Sequence, residues 1–155
     1  YMRTRFGMNV GIRMAEDIKK NVGCAVPRVE RVVMTAKGSD VKTGLPREEE
    51  VNDLDIYDCL FPLLETIREK AVAMFERTSP QLVADISRSG VILAGGGALM
   101  YGMDKMFSEA LGVEAHVADE AQECVAKGTG IALIKMNVLD GYGYRFKTKE
   151  DVRIR

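Results

Sequence analysis

Tryptophan is absent from this chain, and five phenylalanines stand against nine methionines. A core with that stock is soft and adaptable, because the unbranched thioether fills irregular gaps. Three cysteines and one histidine are the whole supply of soft metal ligands. Cys24, Cys59 and Cys124 are odd in number and far apart, without metal-ligand spacing, so reduced core thiols are the expectation. His116 stands alone and is read as a surface residue with no catalytic role. No apolar run approaches the length of a membrane-spanning helix, and no signal-like N-terminus is present. Twenty-two basic against 23 acidic side chains give a net charge of −1, which offers nucleic acid no electrostatic footprint. With 46% hydrophobic and 29% charged residues in 155, the chain has the makings of one ordinary domain with a real core.

The most informative stretch is Val91-Ile92-Leu93-Ala94-Gly95-Gly96-Gly97-Ala98-Leu99-Met100-Tyr101-Gly102-Met103. Apolar residues run into three glycines, and an apolar-periodic segment opens at Ala98. The pattern predicts a buried strand, a tight glycine turn and a helix start. Glycine lets a ligand lie against the backbone with no Cβ in the way. Free amides at a helix start favour a polar or anionic group. The bland alternative is a strand-to-helix turn made of small residues for packing alone.

Three glycine motifs compete here. A dinucleotide fingerprint counted from Gly95 puts Met100 where its third glycine belongs, although Asp119 follows at about the right distance for a ribose contact. A P-loop read through Gly97 and Gly102 finds Met103 and Asp104 in place of its lysine and hydroxyl, which removes the phosphate-binding cation. The adenosine loop of actin-like ATPases fits best. The run from Gly90 to Leu133 resembles the C-terminal segment of the MreB family of bacterial actin homologues. Tyr1 to Ala25, YMRTRFGMNVGIRMAEDIKKNVGCA, is similar to that family too. Between them Lys37-Gly38-Ser39-Asp40, Thr43-Gly44-Leu45-Pro46-Arg47 and Ser79 to Ile86 match in order. The resemblance covers nearly the whole chain, up to about Leu139.

The residues themselves give a coarse map. Residues 11–23 read as a helix with Ile12, Ala15, Ile18 and Val22 at helical spacing, closed by Gly23 and Pro27. Glu16 and Lys19 share one face of it, which on spacing alone is a surface ion pair. Val29 to Lys37 reads as a strand, Gly38-Ser39-Asp40 as a turn, Val41 to Leu45 as a returning strand, and Arg47 to Val51 as a polar edge. Asp53 or Asp55 is expected to cap a helical region over 56–77, reset at Pro62, with Leu63, Ile67, Ala71, Met74 and Phe75 as a core stripe. Ser79 and Pro80 start a further helix whose Leu82, Val83 and Ile86 are expected to face inward. After the glycine turn a helix ends at Gly112, and Val113 to Val117 is a short strand. Small residues at Ala126, Gly128, Gly130 and Ala132 are expected to let a helix over 121–136 approach the sheet closely. The polar stretch 140–155 is expected to be poorly ordered.

Opening at Tyr1 in an apparent helix, the sequence reads as part of a longer protein. The resemblance then implies an α/β fold: an incomplete second lobe of an actin-like (RNase H-type) ATPase with an inserted small α+β subdomain. It assigns 1–78 to the outer subdomain, 79–139 to the inner one with the adenosine loop, and 140–155 to a tail. The cofactor implied is ATP or ADP with Mg²⁺, the metal held mainly by the absent part. The nucleotide-binding residues implied are Glu16, Asp17, Ile18 and Lys19 with Gly95, Gly96, Gly97, Ala98 and Leu99. Neither glycine-rich phosphate hairpin of the family occurs, so this chain alone is expected to be hydrolytically inactive, with no catalytic residue. The whole protein would polymerise into membrane-apposed filaments in the cytoplasm and organise cell-wall synthesis. Its partners would be further copies and a RodZ-like membrane adaptor, not nucleic acid. Two alternatives stay open: a Rossmann-type adenosine-cofactor enzyme resting on Gly95 to Gly97 and Asp119, and a structural protomer that only associates. A plasmid-segregation or magnetosome actin is a further possibility within the same class.

Overall fold

The computed structural model describes residues 1–144; residues 145–155, most of the stretch read as a tail, lie outside the described residues. The chain runs α1 (Met2–Phe6), β1 (Met8–Asn9), α2 (Ile12–Val22), β2 (Val33–Asp40), β3 (Pro46–Asn52), α3 (Asp53–Glu76), α4 (Pro80–Ser89), β4 (Val91–Leu93), a 3₁₀ turn (Gly96–Leu99), α5 (Met103–Leu111), β5 (Ala115–Val117), α6 (Cys124–Ile134) and α7 (Met136–Gly141). Among the described residues two sheets form: an antiparallel β1-β2-β3 sheet and a parallel β4-β5 pair. The mixture is α/β, as the glycine turn between a strand and a helix leads one to expect.

The first sheet differs in detail from the sequence reading. Val29 to Val32 stay outside the ladder, and Asp53 captures Val32 at its edge. Its Oδ1 accepts from the Val32 amide at 3.1 Å, and its own amide donates to the Val32 carbonyl at 3.0 Å. The residues expected to return as a strand, Val41 to Leu45, are instead the turn. Asp40 Oδ1 accepts from the Lys42 and Thr43 amides, both at 2.9 Å, an aspartate-anchored reversal that leaves no ladder for 41–45. The charged 46–50 stretch is therefore a full strand, with Lys37 opposite Glu48 and Val33 opposite Asn52. Its charges suit its alternation. Arg47, Glu49 and Val51 turn to the more buried face, Glu48 and Glu50 to solvent. Arg47 bridges Asp40 at 3.0 Å and also meets Glu49. Gly38 is required where β1 crosses, since a Cβ there would lie 2.2 Å from the Asn9 carbonyl oxygen.

Helix α3 begins earlier than expected and does not reset. Its cap is Asn52, whose side-chain oxygen accepts from the Leu54 and Asp55 amides while Asp55 reaches back to the Asn52 amide. Pro62 sits inside the helix without ending it, with the turn on either side anchored by half-buried Leu60 and buried Leu64. The stripe expected to be core is the open one: Leu63, Ile67 and Met74 are exposed, and Ile56 and Leu64 carry the packing. Helix α4 starts at Ser79 and Pro80 as expected, but none of its residues is fully buried.

The core is in two parts and is methionine-rich. Met2, Met8, Ile18, Val22, Ala36, Val51 and Ile56 form one cluster under the antiparallel sheet. Ala25, Leu64, Met103 and Met106 form the other, between α3 and α5, with Leu93, Met100 and Phe107 against it. Of the cysteines only Cys24 is buried; Cys124 is half-buried and Cys59 exposed, so the expectation of three core thiols holds for one. His116 lies on the surface, 3.6 Å from Glu114. In α6 the small residues bring nothing close, for a Cβ built at Gly128 or Gly130 meets no atom within 4 Å. The start of the stretch read as a tail is helical through Gly141.

Candidate functional site

Two elements far apart in sequence meet because of one short crossing. Where α2 ends, Cys24 pairs with Tyr101 as an isolated parallel bridge, and the Ala25 amide donates to the Tyr101 carbonyl at 2.7 Å. The glycine turn is thereby held against the last turns of α2. Between them opens a cleft of about 420 Å³, lined by Glu16, Lys19 and Lys20 from α2, Gly96, Gly97, Leu99 and Met100 from the turn, and Gln122 from the loop after β5.

The turn itself is tightly specified. After β4 the Gly95 amide donates to the Ala121 carbonyl at 2.6 Å, and the Ala98 and Met100 amides close back onto Gly95 and Gly97 at 3.1 and 3.2 Å. The expected helix does not open at Ala98. Residues 96–99 make one 3₁₀ turn, and α5 begins only at Met103, because Gly102 adopts a left-handed backbone (φ 77°) that interrupts the helical path. A Cβ at Gly102 would also lie 2.4 Å from Val26 Cγ2, so close approach to the 24–26 crossing requires glycine twice over. At Gly97 a Cβ would meet nothing within 4 Å; the space beside it is the cleft.

On the α2 side the charges sort differently from the expected pairing. Glu16 bridges Lys20 at 2.8 Å, the i,i+4 partner rather than Lys19. That hydrogen bond, with the lysine's charge, holds the Glu16 carboxyl below its usual range and raises the Lys20 ammonium. Among the described residues Lys19 forms no ion pair, so its ammonium is available to the cleft. Both lysines lie in the last turn of α2, where cations complement the helix dipole.

Of the nine residues the resemblance implied, the structure brings five to the cleft wall: Glu16, Lys19, Gly96, Gly97 and Leu99. Gly95 and Ala98 shape the turn from behind, Ala98 being buried. Ile18 points into the core cluster, and Asp17 is exposed, outside the lining. Lys20, Met100 and Gln122 complete the lining, and none of them is among the residues the resemblance implies. Lys20 was legible as the i+4 partner of Glu16; Gln122 arrives only through the tertiary fold. Asp119 is exposed beyond β5 and does not line the cleft. The arrangement suits an apolar flat group beside exposed Leu99 and half-buried Met100, with the Glu16 carboxylate to accept from hydroxyls and amide donors along the glycines. Among the described residues no group of three acidic, histidine or cysteine side chains is placed to hold a metal ion.

An α/β chain with this glycine turn facing a Glu–Lys helix is an actin-like protein. The family model described as MreB/Mbl protein matches residues 1–141, and the chain belongs to that family. Its relatives include the cell shape-determining protein Mbl of Bacillus subtilis, 38% identical over 139 residues, covering 90% of this chain and 42% of the relative. The cell shape-determining protein MreB of Escherichia coli K12 is 33% identical over 141 residues, with 91% and 41% covered. Among solved structures, MreB5 of Spiroplasma citri bound to AMPPNP superposes with a TM-score of 0.81 at 32% identity, over 91% of this chain and 43% of that one. The same protein bound to ADP gives 0.82. The chain thus spans about two-fifths of the length of the relatives it matches.

Proposed function

We propose that this chain supplies the adenosine side of an ATP cleft in a cell-shape-determining cytoskeletal ATPase. The observation that carries the reading is the meeting of Glu16 and Lys19 with Gly96, Gly97 and Leu99 around one cleft. Glu16 would accept from the ribose hydroxyls, Lys19 would take the outer edge of the nucleotide, and the base would lie on the glycine backbone beside Leu99. The solved relatives bound to AMPPNP and ADP support a nucleotide as occupant. Residues 1–78 would be the outer subdomain of a second lobe and 79–139 part of its inner one. The phosphates, Mg²⁺ and the attacking water would be held by the length that the relatives have beyond this match, so no hydrolytic step falls to residues seen here. Self-assembly into filaments, apposition to the membrane from the cytoplasm, a RodZ-like adaptor and guidance of wall synthesis belong to the same reading.

Calorimetric titration with ATP tests it, on this chain alone and mixed with the first lobe of a relative, with phosphate release followed in parallel. Binding and hydrolysis by the mixture, with no hydrolysis by this chain alone, are expected. Tight binding of NAD or S-adenosylmethionine by this chain in place of ATP would overturn the assignment and point to a Rossmann-type enzyme.

A further inference from the structure

The opposite flank of α2 borders a second cleft. It encloses about 400 Å³ between α1, β1, α2 and the first turns of α3, inside the range of roughly 300–1,000 Å³ common for small-ligand sites. Met8, Val10, Ile18, Ile56 and Leu60 make its wall. Met8, Ile18 and Ile56 are also core members, so this wall is fixed by packing and does not depend on a bound molecule.

Two cations, Arg3 and Lys19, also line it, and no acidic side chain does. Among the described residues neither cation takes part in an ion pair. Asp55 and Asp58 lie near enough to act on the Tyr1 hydroxyl, but neither reaches the cleft. An apolar wall with two unpaired cations is complementary to one kind of small molecule. An alcohol would leave both cations without a partner, and a bare phosphate would leave the wall wet. A chain ending in a carboxylate satisfies both, through apolar contact and a charge-assisted hydrogen bond.

We propose that this cleft binds a free aliphatic carboxylate, its chain against Met8, Ile18 and Leu60 and its head group between Arg3 and Lys19. The site stands apart from the nucleotide reading, since it needs only the groups named here. Lys19 is the one residue common to both clefts.

Cys59 supplies the readout, because it is exposed and lines this cleft while Cys124, half-buried, lines neither. With no nucleotide present, decanoate at ten times its Kd should slow maleimide alkylation of Cys59 about tenfold, by simple mass action, and leave Cys124 unchanged. Two variants should abolish the protection: Arg3→Gln with Lys19→Gln, which removes the head-group partners, and Ala15→Leu, which fills the exposed mouth while keeping the helix and the thermal midpoint. Equal protection by decanol would overturn recognition of the charge. Equal protection of Cys124 would mark detergent action and overturn the site. Undiminished protection in Ala15→Leu would place the ligand elsewhere, and protection by phospholipid vesicles but not by decanoate would reject a free acid.

Discussion

The Ala25 amide donates to the Tyr101 carbonyl at 2.7 Å, and that single crossing sets α2 against the glycine turn. Arg28 strengthens it by laying its guanidinium 4.2 Å from the centre of the Tyr101 ring, a cation–π contact on the same residue. The cleft exists because these two stretches cannot separate independently. Lys19 lies in the last turn of α2, just before the crossing, and the three glycines lie just before Tyr101.

Gly102 is where this joint is most vulnerable. Gly102→Ala combines a left-handed backbone with a Cβ that would press on Val26 at 2.4 Å, and strain of this kind costs on the order of 1–3 kcal/mol. The urea midpoint should fall, and ATP affinity should fall with it because the crossing shifts. A variant with an unaltered midpoint would show that the 24–26 segment moves aside freely.

The cap of α3 gives a smaller and more local effect. Asn52 Oδ1 accepts from the Leu54 amide at 2.9 Å and the Asp55 amide at 3.1 Å. Asn52→Ala should destabilise the chain by about 1 kcal/mol, while Asn52→Asp, which keeps the acceptor, should stay close to the parent. Chemical denaturation of the three proteins side by side decides the point; equal midpoints for Asn52→Ala and the parent would remove the cap from the account.

Asp40 makes the β2-β3 turn sensitive to acid. The Thr43 and Lys42 amides donate to its carboxylate, and with Arg47 nearby they bring its pKa down to about 2 from an ordinary 3.8. The folded state therefore favours the ionised form. The contribution is fully present above the unfolded value and is lost as pH falls from about 3.8 toward 2. Carboxyl-carbon NMR should show Asp40 titrating near the lower value, with amide protection of Gly44 and Leu45 falling over the same window. A midpoint at the ordinary value would show the turn is not anchored through this side chain.

What could be read from the sequence followed local constraint. The strand, glycine turn and helix at 91–111 are legible because backbone geometry there leaves few residue types to choose from, and α2 is legible from Ile18 and Val22 at helical spacing. Burial of that strand is not: Ile92 is exposed and Val91 and Leu93 are half-buried, since an apolar run does not say what covers it. The helix after the turn starts later than the apolar period predicts because Gly102 breaks the path for a tertiary reason, contact with Val26. The antiparallel sheet was shifted because its register depends on Asp53 capturing Val32 from 21 residues away and on an aspartate-anchored turn at Asp40. The α3 stripe is open where its spacing predicts core, because apolar spacing tells that a face is apolar, not that something covers it. Gln122 reaches the cleft only through the β4-β5 pairing, which no local pattern encodes.

Gly97 separates a role in folding from a role in binding. A Cβ there would meet nothing within 4 Å, and its backbone is not in the left-handed region. Packing alone therefore gives no reason to exclude a larger residue, and Gly97→Val should keep a thermal midpoint close to the parent's. The added side chain would project into the cleft where the nucleotide is proposed to lie, so ATP affinity should drop by tenfold or more, a loss of at least about 1.4 kcal/mol. Gly96→Val is a useful contrast, because a Cβ there would lie 3.4 Å from Gln122 Nε2, so the larger side chain crowds that amide. Calorimetry on the two variants, with melting curves as the control, reads both quantities. If Gly97→Val binds ATP as the parent does, no nucleotide lies against this turn, and the glycines serve only to bring β4 into α5.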